Sequence, residues 1–161
     1  MEYKIAKKDD IEFIIKMKNE VKARVVKENL PIWKNDYPLD EMIIDDIVNQ
    51  QGRVVIVDNK IVAYAVFHHA SFEYDLNTFK DNNVQSFGRV MVCNDYLNKG
   101  VGKFLVKSMI EEAKTLNVNG MGILVDSCNI KALNLYKSFN FTKEGERQFP
   151  FAYLDIYTLY F

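Results

Sequence analysis

A chain of 161 residues with 48% hydrophobic and 27% charged residues can bury roughly 70% of the surface its unfolded form exposes, which predicts one domain over residues 1–161. The formal net charge of -1 leaves no surplus of Lys and Arg to neutralise phosphates, so no nucleic acid is expected and the partner should be small. Cys93 and Cys128 are too far apart for a C-x-x-C site and too few for a disulfide framework, the opening residues lead straight into a charged helix pattern, and no run approaches the roughly 18 apolar residues of a membrane span; a cytoplasmic location is expected.

Residues 3–7 alternate as a short strand. Asp9 with Glu12 three residues later resembles a capping box, and Ile11, Ile14, Met17, Val21 and Val25 recur at helical spacing to about residue 29. Pro31 and Pro38 bracket an aromatic loop holding Trp33 and Tyr37. Leu39, Met42, Ile43 and Ile47 then restore helical spacing up to Gly52. Residues 53–57 and 61–67 are β-branched and aromatic runs joined by Asp58-Asn59-Lys60, which predicts an antiparallel hairpin.

A polar stretch, 71–83, precedes a third run at 84–92, which leads into a glycine-containing turn. Val101, Phe104, Leu105, Met109, Ala113 and Leu116 place a helix directly after it. Residues 121–125 form a compact strand, Asn129 is a candidate N-cap, and Ile130, Leu133, Tyr136 and Phe139 share a helical face. Residues 141–147 and 152–161 alternate as strands around Pro150. This order combines antiparallel hairpins with a parallel crossover and predicts a mixed α/β sheet.

Gly100 and Gly102 stand between a strand and a helix, where backbone N–H groups without helical partners and the helix dipole together favour an anion. Lys99 and Lys103 add positive charge at the rim. A G-x-G pair at a helix start also serves tight packing alone. A phosphate-binding P-loop is excluded because Leu97 stands at its first glycine position and Phe104 where its hydroxyl belongs; a dinucleotide fingerprint is excluded because Leu105 replaces its third glycine.

Two blocks resemble the GNAT-type N-acetyltransferase superfamily. Leu97-Asn98-Lys99-Gly100-Val101-Gly102 falls on the pattern [QR]-x-x-G-x-[GA] after the strand Gly88-Arg89-Val90-Met91-Val92, and the stretch 125–141 carries the Asn129, Ala132, Leu135-Tyr136 and Asn140-Phe141 signature. The departures are Leu97 for Arg or Gln, which removes a side-chain donor, and Asn140 for Gly. Asparagine tolerates the left-handed backbone that follows a helix.

The resemblance implies a mixed, mostly antiparallel sheet of about seven strands with a parallel splayed pair at its centre, flanked by about four helices. It implies acetyl-coenzyme A as cosubstrate, no metal, and direct attack by an amine. Met91, Val92, residues 97–103 (Leu97, Asn98, Lys99, Gly100, Val101, Gly102 and Lys103), Asn129, Ala132 and Tyr136 would bind the cofactor. A backbone N–H near Met91 and Val92 would stabilise the oxyanion, and Tyr136 would serve as general acid to the leaving thiolate; a core aromatic is the other account of Tyr136. For the general base, Glu73 is the candidate, with Asp75, His68 and His69 as alternatives. Trp33, Tyr37, Arg89 and Asp126 are candidate contacts to a small-molecule or peptide amine, against packing of Trp33 beneath its loop and capping by Asp126. A non-catalytic acyl-coenzyme A sensor is the alternative function, and a monomer or homodimer the expected assembly.

Overall fold

A computed structural model describes the chain except for residues 31–32, 34–35, 73–77 and 150–151 and the side chain of residue 72. Its elements run β1 (Glu2–Ile5), α1 (Ile11–Lys27), α2 (Asp40–Val48), β2 (Gly52–Val57), β3 (Lys60–His69), β4 (Val84–Val92), α3 (Val101–Lys114), β5 (Gly120–Asp126), α4 (Ile130–Lys137), β6 (Thr142–Gln148) and β7 (Tyr153–Tyr160). This is the order the periodicities predict. One seven-stranded sheet has the strand order β1-β2-β3-β4-β5-β7-β6. β1 pairs antiparallel with β2, β2 with β3, β5 with β7 and β6 with β7, whereas β4 and β5 run parallel. No helix among the described residues is long and apolar enough to cross a membrane.

The chain divides into two compact units, and β4 passes from one to the other between Gly88 and Arg89. The first comprises Met1–Val66 and Arg89–Leu105. Its core gathers Ile14, Met17, Val21 and Val25 from α1, Ile43 and Ile47 from α2, Val54 and Tyr64 from the hairpin, Met91 from β4, and Trp33. The spacing of three and four along α1 puts those four side chains on one buried stripe. The start of α1 differs from expectation. Asp10, not Asp9, reaches back to accept the Lys7 N–H at 2.8 Å, and a 3-10 turn at Lys8–Asp10 comes before the helix. At the other end, Asn29 adopts φ 59, the left-handed stop that a short amide side chain tolerates. In the hairpin, Asp58 and Asn59 both take positive φ while Lys60 pairs with Val57. That is the two-residue turn whose twist matches its strands.

The second unit comprises Phe67–Gly88 and Val106–Phe161. β5 is paired along its whole length with β7, from Gly120 with Tyr160 to Asp126 with Leu154. With β4 its ladder covers only Val84, Gln85 and Ser86 against Gly120, Met121 and Gly122, although both strands continue. Phe79 packs with Ala70, Val84 and Ile156, and a Cβ at Gly122 would lie 2.3 Å from its ring. The ring therefore occupies the space a side chain there would need. Leu116, expected on the buried face of α3, lies beyond the end of the helix and is 42% exposed.

Candidate active site

In the first unit the glycine turn is built by a sequence of local choices. Cys93 N–H donates to Val62 O at 2.9 Å, Asn94–Tyr96 form a 3-10 turn, and Leu97 is extended. Asn98 and Gly100 then take φ 58 and φ 78, left-handed positions suited to Asn and Gly. The first helical rung is Phe104 N–H to Gly100 O at 2.9 Å, so the N–H groups of Val101, Gly102 and Lys103 precede any rung of their own. Asn98, Lys99, Gly100 and Lys103 are exposed, whereas Val101 is buried and pins the first turn. The position of a Cβ on Gly100 has no atom of a described residue within 4 Å. Lys99 Nζ sits 5.4 Å from the centre of the Tyr96 ring, a cation–π contact that keeps the charge beside the turn. Leu97, half-buried, supplies no donor.

Because Cys93 N–H points to β3, strand alternation turns the Val92 N–H and C=O to the opposite edge. Arg24, from the last turns of α1, donates through Nη1 to Val92 O at 3.2 Å and to Asn94 Oδ1 at 2.5 Å. Burial holds its pKa below the usual arginine value.

Arg89 lies in the middle of β4 with φ 49, a conformation that costs an L-residue roughly 1–2 kcal/mol. Its guanidinium is buried. Nε donates to Asp46 Oδ2 at 2.8 Å and Nη2 to Asp46 Oδ1 at 2.9 Å, a two-bond fork. Tyr64 Oη donates to Asp46 Oδ2 at 2.9 Å, and Arg89 Nη1 donates to Tyr37 Oη at 3.2 Å. Burial first, and the Asp46 charge second, raise the Tyr64 pKa. Of the expected substrate contacts, Tyr37 and Arg89 are thus brought together. Trp33 packs in the core, 7% exposed, with its ring edge-on to Tyr37 at 6.1 Å. Asp46 and Tyr64 were not legible as members. The available signal was an acidic residue inside the apolar stripe Met42, Ile43, Ile47 of α2, a place where charge needs a partner.

In the second unit Asn129 caps α4, its Oδ1 accepting from Ala132 N–H at 3.2 Å. Asp126 is 5% exposed and accepts from Cys128 N–H at 2.9 Å, so it serves the turn leading into that cap. Tyr136 is 3% exposed, edge-on to Phe87 at 5.4 Å and tilted against Phe141 at 6.1 Å. Its hydroxyl makes no hydrogen bond to any described residue, and burial pushes its pKa up. Ser86 Oγ is likewise buried without a partner among the described residues. The candidate bases Glu73 and Asp75 lie outside the described residues. His68 Nδ1 lies 2.9 Å from His69 O; His69 lies 2.8 Å from Ser71 Oγ and 3.3 Å from Asn83 Oδ1. No group of three His, Cys, Asp or Glu among the described residues is placed to hold a metal ion.

Residues 23–141 match the Acetyltransferase (GNAT) family. No curated protein sequence matches the chain. Solved structures do. A GNAT-family acetyltransferase from Streptococcus agalactiae superposes with TM-score 0.83 at 18% identity, covering 99% of this chain and 95% of that one. YncA from Salmonella typhimurium, solved with its cofactor acetyl-CoA, gives 0.74 at 20% identity over 99% and 93%. The aminoglycoside acetyltransferase AAC(6')-Ib, in complex with coenzyme A and kanamycin, gives 0.77 at 15% identity over 98% and 93%. The matched span runs from the end of α1 through the glycine turn to Phe141, and on that ground the chain belongs to the GNAT family of acetyltransferases.

Proposed function

We propose that residues 1–161 act as one N-acetyltransferase domain that transfers the acetyl group of acetyl-CoA to an amine by direct attack in a ternary complex. The observation that carries this reading is the start of α3. Three successive N–H groups without helical rungs, an exposed Gly100 with open space beside it and two flanking lysines fit a pyrophosphate. Residues 97–103 would hold it, the missing side chain at Leu97 leaving backbone donors to do so, with Asn129 and Ala132 at the start of α4 as further cofactor contacts.

Acetyl-CoA supplies the activated acyl group. An N–H of the β4 segment containing Met91 and Val92 would stabilise charge on the acyl oxygen as the amine nitrogen bonds to carbon and the carbon–sulfur bond breaks. Tyr136 would supply a proton or a hydrogen bond from its hydroxyl to the departing sulfur as negative charge develops there. Its raised pKa keeps the hydroxyl protonated throughout the neutral range. The proton shed by the amine would go to Glu73.

Thermal stabilisation by coenzyme A, acetyl-CoA, ATP and NAD, followed by thiol release across a panel of small amines and peptides, tests the reading. Stabilisation by both coenzyme A species and amine-dependent thiol release are expected. Stabilisation by ATP alone would refute it, and binding of acetyl-CoA without thiol release across the panel would make the chain a sensor instead.

A further inference from the structure

Two features of the first unit have no account in the reaction so far. Arg89 is left-handed in the middle of a strand, although arginine has no preference for that region. Its charge is spent on Asp46, with the two side chains 6% and 5% exposed, and a buried ion pair is a poor way to gain stability when apolar residues of similar size would serve. The two features explain each other. The fork from Nε and Nη2 to both oxygens of Asp46 fixes the plane as well as the position of the guanidinium. Tyr64, from β3, fixes the carboxylate in turn. A guanidinium anchored that way from α2 narrows the backbone conformations that can reach it. A left-handed residue breaks the two-residue alternation of a strand, so it resets the direction of the N–H groups that follow it.

We infer that Asp46 and Arg89 are positioning residues, an ion pair that holds the left-handed kink in β4 and so sets which edge of the strand the following N–H groups face, turning that of Val92 to the acyl oxygen. This rests on the acetyltransferase reading above. In this role Arg89 acts through the backbone, not through contact with the amine.

Two double variants test it. Asp46→Asn with Arg89→Gly, and Asp46→Asn with Arg89→Ala, both remove the pair without stranding a charge, and Asn at 46 still accepts from Tyr64. They differ by one methyl group. At an ordinary strand position alanine is the more stable residue, whereas at positive φ glycine is. The Gly double is therefore expected to show the higher urea midpoint and a kcat about threefold below wild type. The Ala double should fall roughly 30–100-fold in kcat, as a misplacement of about 1 Å can cause. Acetyl-CoA affinity should stay within about threefold in the Gly double, which keeps the β4 backbone in place and leaves residues 97–103 untouched. Backbone amide resonances of residues 90–92 should stay near wild type in the Gly double and move in the Ala double.

Equal kcat in the two doubles, or a higher midpoint for the Ala double, overturns the inference. Arg89→Lys, which keeps the charge and loses the fork, covers the case in which neither double folds: a tenfold fall in kcat is expected, and wild-type kcat overturns the inference. Were the wild type to release no thiol with any amine, the acetyltransferase reading would fall, while the amide resonances of residues 90–92 in the Ala double, moved or unmoved from wild type, would still decide whether the pair holds the kink.

Discussion

Substitution of Gly100 separates backbone strain from charge at the glycine turn. Any L-residue at φ 78 carries about 1–2 kcal/mol of strain. With no atom of a described residue within 4 Å of the Cβ position, no clash with them is added. Gly100→Gln is therefore expected to lower Tm by about 2–8 °C, the range that strain corresponds to in a chain of this size. Gly100→Glu has the same shape and the same strain, so the difference between the two variants is charge alone. A carboxylate about 4 Å from a phosphate costs about 4 kcal/mol at an effective dielectric near 20. Solvent screening at an exposed turn reduces that to roughly 2–3 kcal/mol, or about 30–150-fold in Kd. Isothermal titration of coenzyme A into both variants measures it, and the gap should narrow as salt is raised. Equal Kd for Gln and Glu would mean that no phosphate lies near position 100, and the assignment of the turn would fail.

Tyr136→Phe removes a hydroxyl that bonds to no described residue, so stability should change by less than about 1 kcal/mol, while kcat should fall about 10–100-fold with coenzyme A affinity retained; an unchanged kcat would return Tyr136 to the core. Tyr64 and Tyr136 both have pKa values raised by burial. Since the unfolded value is about 10, their neutral forms stabilise the fold fully below that pH and the contribution is lost as pH rises above it. Urea midpoints should hold level from neutral pH to about 10 and decline above; a level profile to about pH 12 would contradict the burial of these hydroxyls. Gly122→Ala puts a methyl group 2.3 Å from Phe79 Cε1, an overpacking expected to cost about 1–3 kcal/mol. Phe79→Leu in the same chain should recover part of it, and additivity of the two losses would show that the contact is not the cause.

The element order was legible because each element carries its own period. The stripe of α1, the Asp58-Asn59 turn and the glycines before α3 are all local signals. The capping of α1 was misjudged by one residue because Asp9 and Asp10 are equivalent in sequence and only geometry decides which reaches the Lys7 N–H. The placement of β7 between β5 and β6 has no local signature. The Asp46–Arg89 pair was half legible: Arg89 stood out through resemblance and Asp46 did not. Their link spans residues 43 apart in sequence, and nothing in the run Gly88-Arg89-Val90 announces a left-handed backbone at an arginine. Trp33 and Tyr37 stood out as aromatics. Whether each belongs to the core or to its margin depends on which helix faces lie beneath them, and that is a property of the packed unit.

The position of β7 also governs how this sheet can be made. β6 pairs with β7, and β7 is synthesised after it, so β6 emerges with no strand to join. β5 waits as well, one edge open until β7 arrives. During that interval the nascent chain exposes an apolar strand, Met121-Gly122-Ile123-Leu124-Val125, of the kind that pairs promiscuously with other chains. β6, by contrast, is rich in Lys, Glu and Arg and interrupted by an irregularity between Lys143 and Gly145, features that discourage such pairing. Closing the sheet is therefore a late, long-range event, the slow kind of step in folding. Slower elongation or a destabilised β7 should raise the aggregated fraction during synthesis even when the finished protein is stable.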